Sequence, residues 1–299
     1  MSAATPLYDQ SKLAPSVDPQ FVHKPAIRLL RIVFAVLSTV SPALAARLGL
    51  RLFLTPPRYG APSREMAIRA KATIARLSLN SHVITTYAWG EGPTVLLAHS
   101  WGGRGTQLAP FVKPLIQAGY RVVSFDGPAH GGSSGKQTNM MEFAATIKAV
   151  ADANGPLYAV IGHSFGAANT LLAIRDKNLT PKKVVMIGCF AHGAWVIDTF
   201  GVLMHIPSYI VERMCRLLEQ RYGGMLRWES LSLIEMTRAA DIPILLVHDM
   251  DDREVPYAHA LAIHTGAPNS RLKTTRGCGH RRILRNIEAI QDIVTFIRE

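Results

Sequence analysis

The chain is predicted to adopt an α/β fold, with a mostly parallel sheet flanked by helices. Three observations predict it. Short apolar runs at 94–99, 121–125, 157–161, 183–188, 243–248 and 271–275 alternate with helix-compatible stretches at 106–118, 138–154, 166–176, 257–265 and 284–298, the pattern of parallel βαβ units. Hydrophobic residues make up 48% of the 299 residues and charged residues 18%, which excludes a chain disordered by composition and leaves ample material for one large core. The run Leu157–Ile161 leads directly into Gly162-His163-Ser164-Phe165-Gly166 and then into a helix-compatible stretch, a strand–turn–helix around G-x-S-x-G.

The elements follow in chain order. Residues 1–25 hold Pro6, Pro15, Pro19 and Pro25 among small and polar residues and read as an extended lead-in. From Ala26 to Leu54 the chain turns apolar, and Ile32–Ala46 carries no charge. Fifteen helical residues span about 22 Å, short of the roughly 30 Å hydrocarbon core, and Ser41-Pro42 breaks the run. Two short helices are therefore expected, packed on the body of the protein, lying on a membrane surface, or both. Ala43-Leu44-Ala45 resembles a signal cleavage site, but the long, proline-containing region before it is unusual for a leader. A short basic helix is expected at 64–76 and an antiparallel strand at 82–89, ending at Gly90. Residues 191–240, with Trp195, Phe200, Met204, Ile206, Tyr209 and Met214, interrupt the alternation and read as an inserted helical cap. The expected organisation is an N-terminal basic and apolar extension over 1–60, a core over 61–190 and 241–299, and the cap over 191–240.

Charge is placed unevenly. The net charge is +12; residues 1–80 hold 11 Lys/Arg against 3 Asp/Glu, and the remainder 22 against 18. The N-terminal basic residues are interleaved with Leu, Ile, Val and Ala rather than with aromatic rings, which argues against single-stranded nucleic acid as a partner. Residues 26–54 point instead to an anionic membrane surface or to the protein's own core. Cys189, Cys215 and Cys278 are too few and too scattered for a disulfide framework or a zinc site. This usage fits a cytoplasmic location, with peripheral contact at the inner membrane surface through 26–54. Oligomeric state is not legible, and no internal repeat is present.

The chemistry centres on Ser164. A serine on so sharp a turn needs small residues two before and two after, because neighbouring backbone comes very close. It also needs a base and an acid to orient that base. The base expected is His280, after the last strand, in Arg276-Gly277-Cys278-Gly279-His280, where the glycines let the chain curl back. The acid should follow the preceding strand, where Asp249, Asp251, Asp252 and Glu254 compete. Asp252 is the choice and Asp251 the runner-up. The order Ser164, Asp252, His280 is the order that G-x-S-x-G enzymes require. Two backbone N–H groups should hold a developing oxyanion: Phe165, and Trp101 in the loop His99-Ser100-Trp101-Gly102-Gly103, with Ser100 as the alternative. A substrate pocket is expected around His99, Ser100, His163 and Trp195.

With these motifs in place, the chain resembles the α/β-hydrolase superfamily, of the esterase- and lipase-like kind with a cap. Asp126-Gly127-Pro128-Ala129-His130-Gly131-Gly132-Ser133 is similar to that family's D-x-P-G-H-G-x-S loop, with Ala129 at the usual glycine. Two further departures are His99-Ser100 in place of the usual H-G, and Asp249 at a usual glycine. The resemblance covers about residues 80–299. It implies an eight-stranded, mostly parallel sheet, a Ser-His-Asp triad at the strand C-terminal ends, His130 as a turn-shaping rather than a catalytic residue, and no metal or organic cofactor. The function it implies is hydrolysis of a small-molecule carboxylic ester or related acyl bond through an acyl-enzyme. Ser rather than Asp at 164 argues against dehalogenase and epoxide hydrolase chemistry. Lipase, thioesterase, lactonase, peptidase and carbon–carbon hydrolase stay open. The rival from another class is a non-catalytic binding or scaffold role on the same fold.

Overall fold

A computed structural model of the chain describes residues 13–15, 17–223 and 226–299; the lead-in expected over 1–25 lies in part outside them. Eight strands form one sheet: β1 (Thr73–Leu79), β2 (His82–Trp89), β3 (Thr94–Ala98), β4 (Arg121–Phe125), β5 (Leu157–His163), β6 (Lys183–Ile187), β7 (Ile244–Asp249) and β8 (Ser270–Thr275). Their order is β1-β2-β4-β3-β5-β6-β7-β8, antiparallel at β1–β2 and β2–β4 and parallel from there on.

Side chains alternate across the strands and give the sheet two buried faces. Leu96, Ala98, Val123, Val160, Val184, Met186 and Leu246 belong to one core, and Val95, Leu97, Val122, Ile161, Val185, Ile187 and Val247 to the other. Because both faces are covered, the central strands are apolar throughout rather than alternating.

The N-terminal half-chain contributes α1 (Pro19–Val22), α2 (Pro25–Val40), α3 (Pro42–Phe53), α4 (Ser63–Arg69), α5 (Val112–Gln117) and α6 (Met140–Asn154). Pro25 and Pro42 each open a helix at a position where a missing N–H costs nothing, so Pro42 both ends α2 and starts α3. The helix expected over 64–76 is corrected: α4 ends at Arg69 and the edge strand β1 begins at Thr73. β1 is largely exposed and is held by its seven-residue pairing to β2, so no burial pattern marks it in the sequence. A 3-10 turn, Gly105–Phe111, precedes α5 and contains Pro110, so the helix expected from 106 starts only at Val112.

The C-terminal half adds α7 (Phe165–Lys177), α8 (Gly193–Met204), α9 (Ser208–Arg221), α10 (Leu233–Ala239), α11 (Ala258–Gly266), α12 (Gly279–Arg282) and α13 (Ile287–Arg298). Between α12 and α13 lies a 3-10 turn, Ile283–Arg285. Helices α8, α9 and α10 lie between β6 and β7, the span read as a cap.

α2 and α3 do not stand apart. Phe34, Ala45 and Ala46 share a third core with Ile197, Met204, Ile206, Ile210 and Met214 of the cap segment. Arg31 donates to the Leu203 carbonyl at 2.9 Å, and the Tyr209 hydroxyl donates to the Ser38 carbonyl at 2.8 Å. The two N-terminal helices thus form, with α8 and α9, one roof over the C-terminal ends of the central strands; α10, expected as part of the cap, packs instead on α7 and α11 of the core.

Candidate active site

Ser164 joins β5 to α7 with φ 53° and ψ −111°, a strained conformation for a residue with a side chain. Its N–H donates to the Ile187 carbonyl at 2.8 Å, tying the turn to β6. The flanking glycines are sterically required. A Cβ on Gly162 would lie 2.5 Å from the Ala167 Cα, and one on Gly166 would lie 2.3 Å from the Ala98 carbonyl oxygen.

His280 stands at the start of α12, beyond Gly277 and Gly279, whose φ values of 77° and 62° curl the loop. Its Nδ1 lies 2.7 Å from Asp252 Oδ2, with both side chains buried. The other oxygen of Asp252 accepts the Glu254 and Val255 N–H groups, each at 2.9 Å. His248 Nε2 stands 3.4 Å from Asp252 Oδ2 and donates to the Val255 carbonyl at 2.8 Å. Burial alone would raise the Asp252 carboxyl, but hydrogen bonds and charge from His248 and His280 outweigh it and hold Asp252 well below its ordinary value. Burial likewise acts to lower His280; the hydrogen bond and charge of Asp252 overcome it and raise this imidazole above its ordinary value of 6.5. Asp251 is not against His280: it accepts the Gly277 N–H at 2.8 Å.

Two residues shape the site in roles the sequence did not show. Asp249, at the end of β7, accepts the Thr275 hydroxyl at 2.7 Å and the Cys278 and Gly279 N–H groups at 3.0 and 2.9 Å, so it holds the loop that carries His280. Its place at the end of β7, beside β8, is the signal that could have found it. Gly188, just after β6, has φ 59°, and a Cβ there would come within 3.2 Å of the His280 ring.

The loop after β3 lies beside the elbow, the sharp turn at 162–166 that carries Ser164. Ser100 N–H points to Gln107 Oε1 at 3.3 Å, and Gly102 N–H donates to His130 Nε2 at 3.0 Å. Among the described residues the Trp101 N–H between them has no hydrogen-bond partner. Phe165 opens α7, where no carbonyl of the same helix reaches its N–H. The rings of Trp101 and Phe165 meet edge to face at 5.0 Å.

Ser164, Phe165, His280, Trp101, Ser100 and Trp195 line one cavity of about 1170 Å³. The pocket expected around His99, Ser100, His163 and Trp195 is corrected at two positions. His99 and His163 are fully buried and lie outside the cavity lining. His99 donates from Nδ1 to the Ser100 carbonyl at 2.7 Å and accepts the Gly127 N–H at Nε2, 2.9 Å. His130 mirrors it, donating to the Pro128 carbonyl at 2.9 Å and accepting from Gly102. The two rings thus brace the β3 and β4 loops against each other. Burial pushes His99 down to about 4 and His130 down to about 3, so both are neutral. His163 Nε2 donates to the His280 carbonyl at 2.9 Å, and burial holds its ring well below the ordinary value.

A hydroxyl, a raised imidazole and an ionised carboxylate in this setting can move a proton from oxygen to nitrogen and stabilise the cation that results. Among the described residues no group of three His, Cys, Asp or Glu side chains is arranged to hold a metal ion.

Comparison with known proteins agrees with this architecture. A non-heme haloperoxidase from Rhodococcus erythropolis is 25% identical over 256 residues, covering 70% of this chain and 93% of the relative. Esterase YjfP from Escherichia coli (strain K12) is 26% identical over 227 residues, covering 69% and 88%. Among solved structures, a membrane phospholipase A superposes with a TM-score of 0.61 at 19% identity, covering 92% of this chain and 98% of that one. The Pyrococcus furiosus esterase PF2001 gives 0.61 at 18% identity, covering 82% and 97%. The model of the alpha/beta hydrolase family matches residues 95–293, from β3 into α13, so the chain belongs to the α/β-hydrolase family and is a hydrolase by descent.

Proposed function

We propose that the protein is a serine hydrolase that cleaves a carboxylic ester or closely related acyl bond through an acyl-enzyme. The observation that carries this reading is the 2.7 Å contact of Asp252 with His280, whose ring lines the same cavity as the strained Ser164. His280 takes the Ser164 proton as Oγ attacks the substrate carbonyl carbon. The Trp101 and Phe165 N–H groups hold the oxyanion of the tetrahedral intermediate. His280 then passes the proton to the leaving alkoxide, and the acyl group stays on Ser164. Water, deprotonated by the same imidazole, releases the acid and restores the serine. Thioesters and lipid esters fit the same chemistry.

Ser164→Ala should lower hydrolysis of p-nitrophenyl butyrate by about 10⁴-fold or more. Activity retained within tenfold would overturn the assignment. If Ser164 also resists a fluorophosphonate probe, a non-catalytic scaffold becomes the better reading.

A second reading concerns place. Leu29, Ile32, Val36, Val40 and Leu44 form an outward stripe on α2 and the start of α3, each between 51% and 76% exposed. Arg28, Arg47 and Arg51 are exposed on the same two helices. Among the described residues no helix is long and apolar enough to cross a membrane. An apolar stripe with flanking cations suits the interface of an anionic bilayer. Co-sedimentation with phosphatidylglycerol vesicles tests this, and failure to sediment refutes it.

A further inference from the structure

The cavity over Ser164 has two unlike walls, built from separate parts of the chain. One is apolar: Ile27 of α2, Leu52 and Phe53 at the end of α3, and Trp195, Phe200 and Leu203 of α8. The other is basic: Arg64 of α4, Lys113 of α5, Arg281 of α12 and Arg285 of the turn that follows it, together with Arg104 of the loop after β3. These elements are neighbours, since α4 packs on the Gly105–Phe111 turn and that turn packs on Ile283–Arg285.

Two of these cations already have partners. Arg104 makes a two-pronged contact with Glu65 at 2.6 and 2.7 Å, and Arg281 meets Glu254 at 2.9 Å. Among the described residues Arg64, Lys113 and Arg285 make no salt bridge. The remaining charged lining residues, Asp18 and Lys24, contribute one charge of each sign. The wall therefore offers three uncompensated positive charges to whatever occupies the cavity. At about 1170 Å³ the cavity exceeds the roughly 300–1,000 Å³ of ordinary small-molecule sites.

We propose that the site takes an anionic amphiphile: an acyl compound with a long aliphatic chain against the α2, α3 and α8 wall, and a carboxylate- or phosphate-type group held by Arg64, Lys113 and Arg285. Guanidinium groups match such oxyanions in a two-pronged geometry, and the apolar wall removes the chain from water. The inference takes its chemistry from the hydrolytic reading above; its binding claim rests on the cavity alone.

The test separates the two. Dodecyl phosphate is titrated into Ser164→Ala protein, with the fluorescence of Trp101, Trp195 and Trp228, which line the cavity, as the signal. Binding should saturate and be at least tenfold tighter than that of dodecanol. Salt should weaken the phosphate more than the alcohol. In an Arg64→Gln/Lys113→Gln/Arg285→Gln background the phosphate-over-dodecanol preference should fall below threefold. Single Arg285→Gln protein, with its melting temperature recorded, covers the case in which the triple variant folds poorly. Dodecanoate run beside dodecyl phosphate tells which oxyanion is preferred. In the wild type, 3-(octanoyloxy)-4-nitrobenzoate should be cleaved at least tenfold faster, in kcat/KM, than its neutral methyl ester. Dodecyl phosphate binding no tighter than dodecanol, or a preference unmoved by the variants, overturns the proposal even if esters are cleaved. Charge-selective binding with no ester cleaved in the wild type sustains it and sinks the hydrolytic reading instead.

Discussion

At Gly166 an added Cβ would lie 2.3 Å from the Ala98 carbonyl oxygen, and at Gly49 it would lie 2.7 Å from the Met214 sulfur. Both are close approaches, but they differ in what would have to move. Under the cavity, backbone lies against backbone: the elbow at 162–166 presses on the end of β3, and no side chain can swing aside. Over the cavity, α3 leans on the end of a flexible methionine of α9. At these two glycines the floor is specified atom by atom, and the roof mainly by volume and apolarity. Residues that fix a reacting atom must come from the first kind of structure.

The largest effect should come from the floor. Asp252→Asn keeps the shape but leaves His280 without an ionised partner, and kcat should fall by about 10⁴-fold. The sign of the pH effect follows from the geometry. In the proposed mechanism His280 must be neutral to accept the Ser164 proton, and its folded-state value lies above 6.5. Activity should therefore be full at higher pH and be lost as pH falls through that raised value. In the residual activity of Asp252→Asn the acid limb of kcat/KM should move to lower pH, because the burial that depresses the imidazole remains and its opposing partner is gone. A limb that stays in place would separate His280 from the rate-limiting proton transfer.

The two glycines test the comparison directly. Gly166→Ala should destabilise the protein by about 1–3 kcal/mol and abolish turnover, because relief requires moving the elbow off β3. Gly49→Ala should change stability by about 1 kcal/mol or less, since the helical preference of alanine offsets the displacement of the Met214 side chain. Denaturant midpoints and p-nitrophenyl butyrate hydrolysis on the two variants would settle it. Equal penalties would show that floor and roof are equally rigid.

This difference also governs what could be read from the sequence. Gly162, Ser164 and Gly166, the curl at Gly277 and Gly279, and the central strands are legible because local sterics and continuous apolar runs constrain their residue types. The break of α2 from α3 at Ser41-Pro42 is legible for the same reason. β1 is not, because Thr73–Leu79 is largely exposed and owes its form to pairing with β2. His99 and His163 read as pocket residues from their nearness to Trp101 and Ser164 in sequence. Their side chains turn under the floor, and only three-dimensional packing reveals the carbonyls and N–H groups waiting there. Gly188 acts on a loop distant in sequence and is not legible for that reason, and Asp249 stands in the sequence only as a competing acid until β7 is placed beside β8.

The buried histidines give the floor a second signature of intermediate size. In the folded state His99 and His130 titrate at about 4 and about 3. An unfolded chain protonates them near 6.5. Between those values the unfolded state binds more protons, so stability is intact above about pH 6.5 and falls with decreasing pH, by about 1.4 kcal/mol per unit for each residue. Protonation would also cost the N–H groups of Gly127 and Gly102 their acceptors. Urea midpoints taken from pH 7.5 to pH 4.5 should drop steadily. A flat profile over that range would mean that these rings are not held neutral and that the brace between the β3 and β4 loops is weak.

The smallest effect on stability is expected on the outer face of the roof, and there it is informative because it is small. Ile32 and Val36 project outward from α2, away from the face where Phe34 is buried with the cap helices. Both are more than half exposed, so replacing them with serine removes little packing, and the melting midpoint should correspond to a change within about 0.5 kcal/mol per site. Hydrolysis of a short soluble ester should be unaffected, because neither residue lines the cavity. If the stripe inserts into an anionic bilayer, the same two changes should reduce binding to phosphatidylglycerol vesicles by tenfold or more, while the enzyme in solution behaves as before. Vesicle binding that survives the double substitution would assign the interaction to the cations of α2 and α3 instead. A large loss of stability would show that the stripe packs on protein, and the roof would then be as closely specified as the floor.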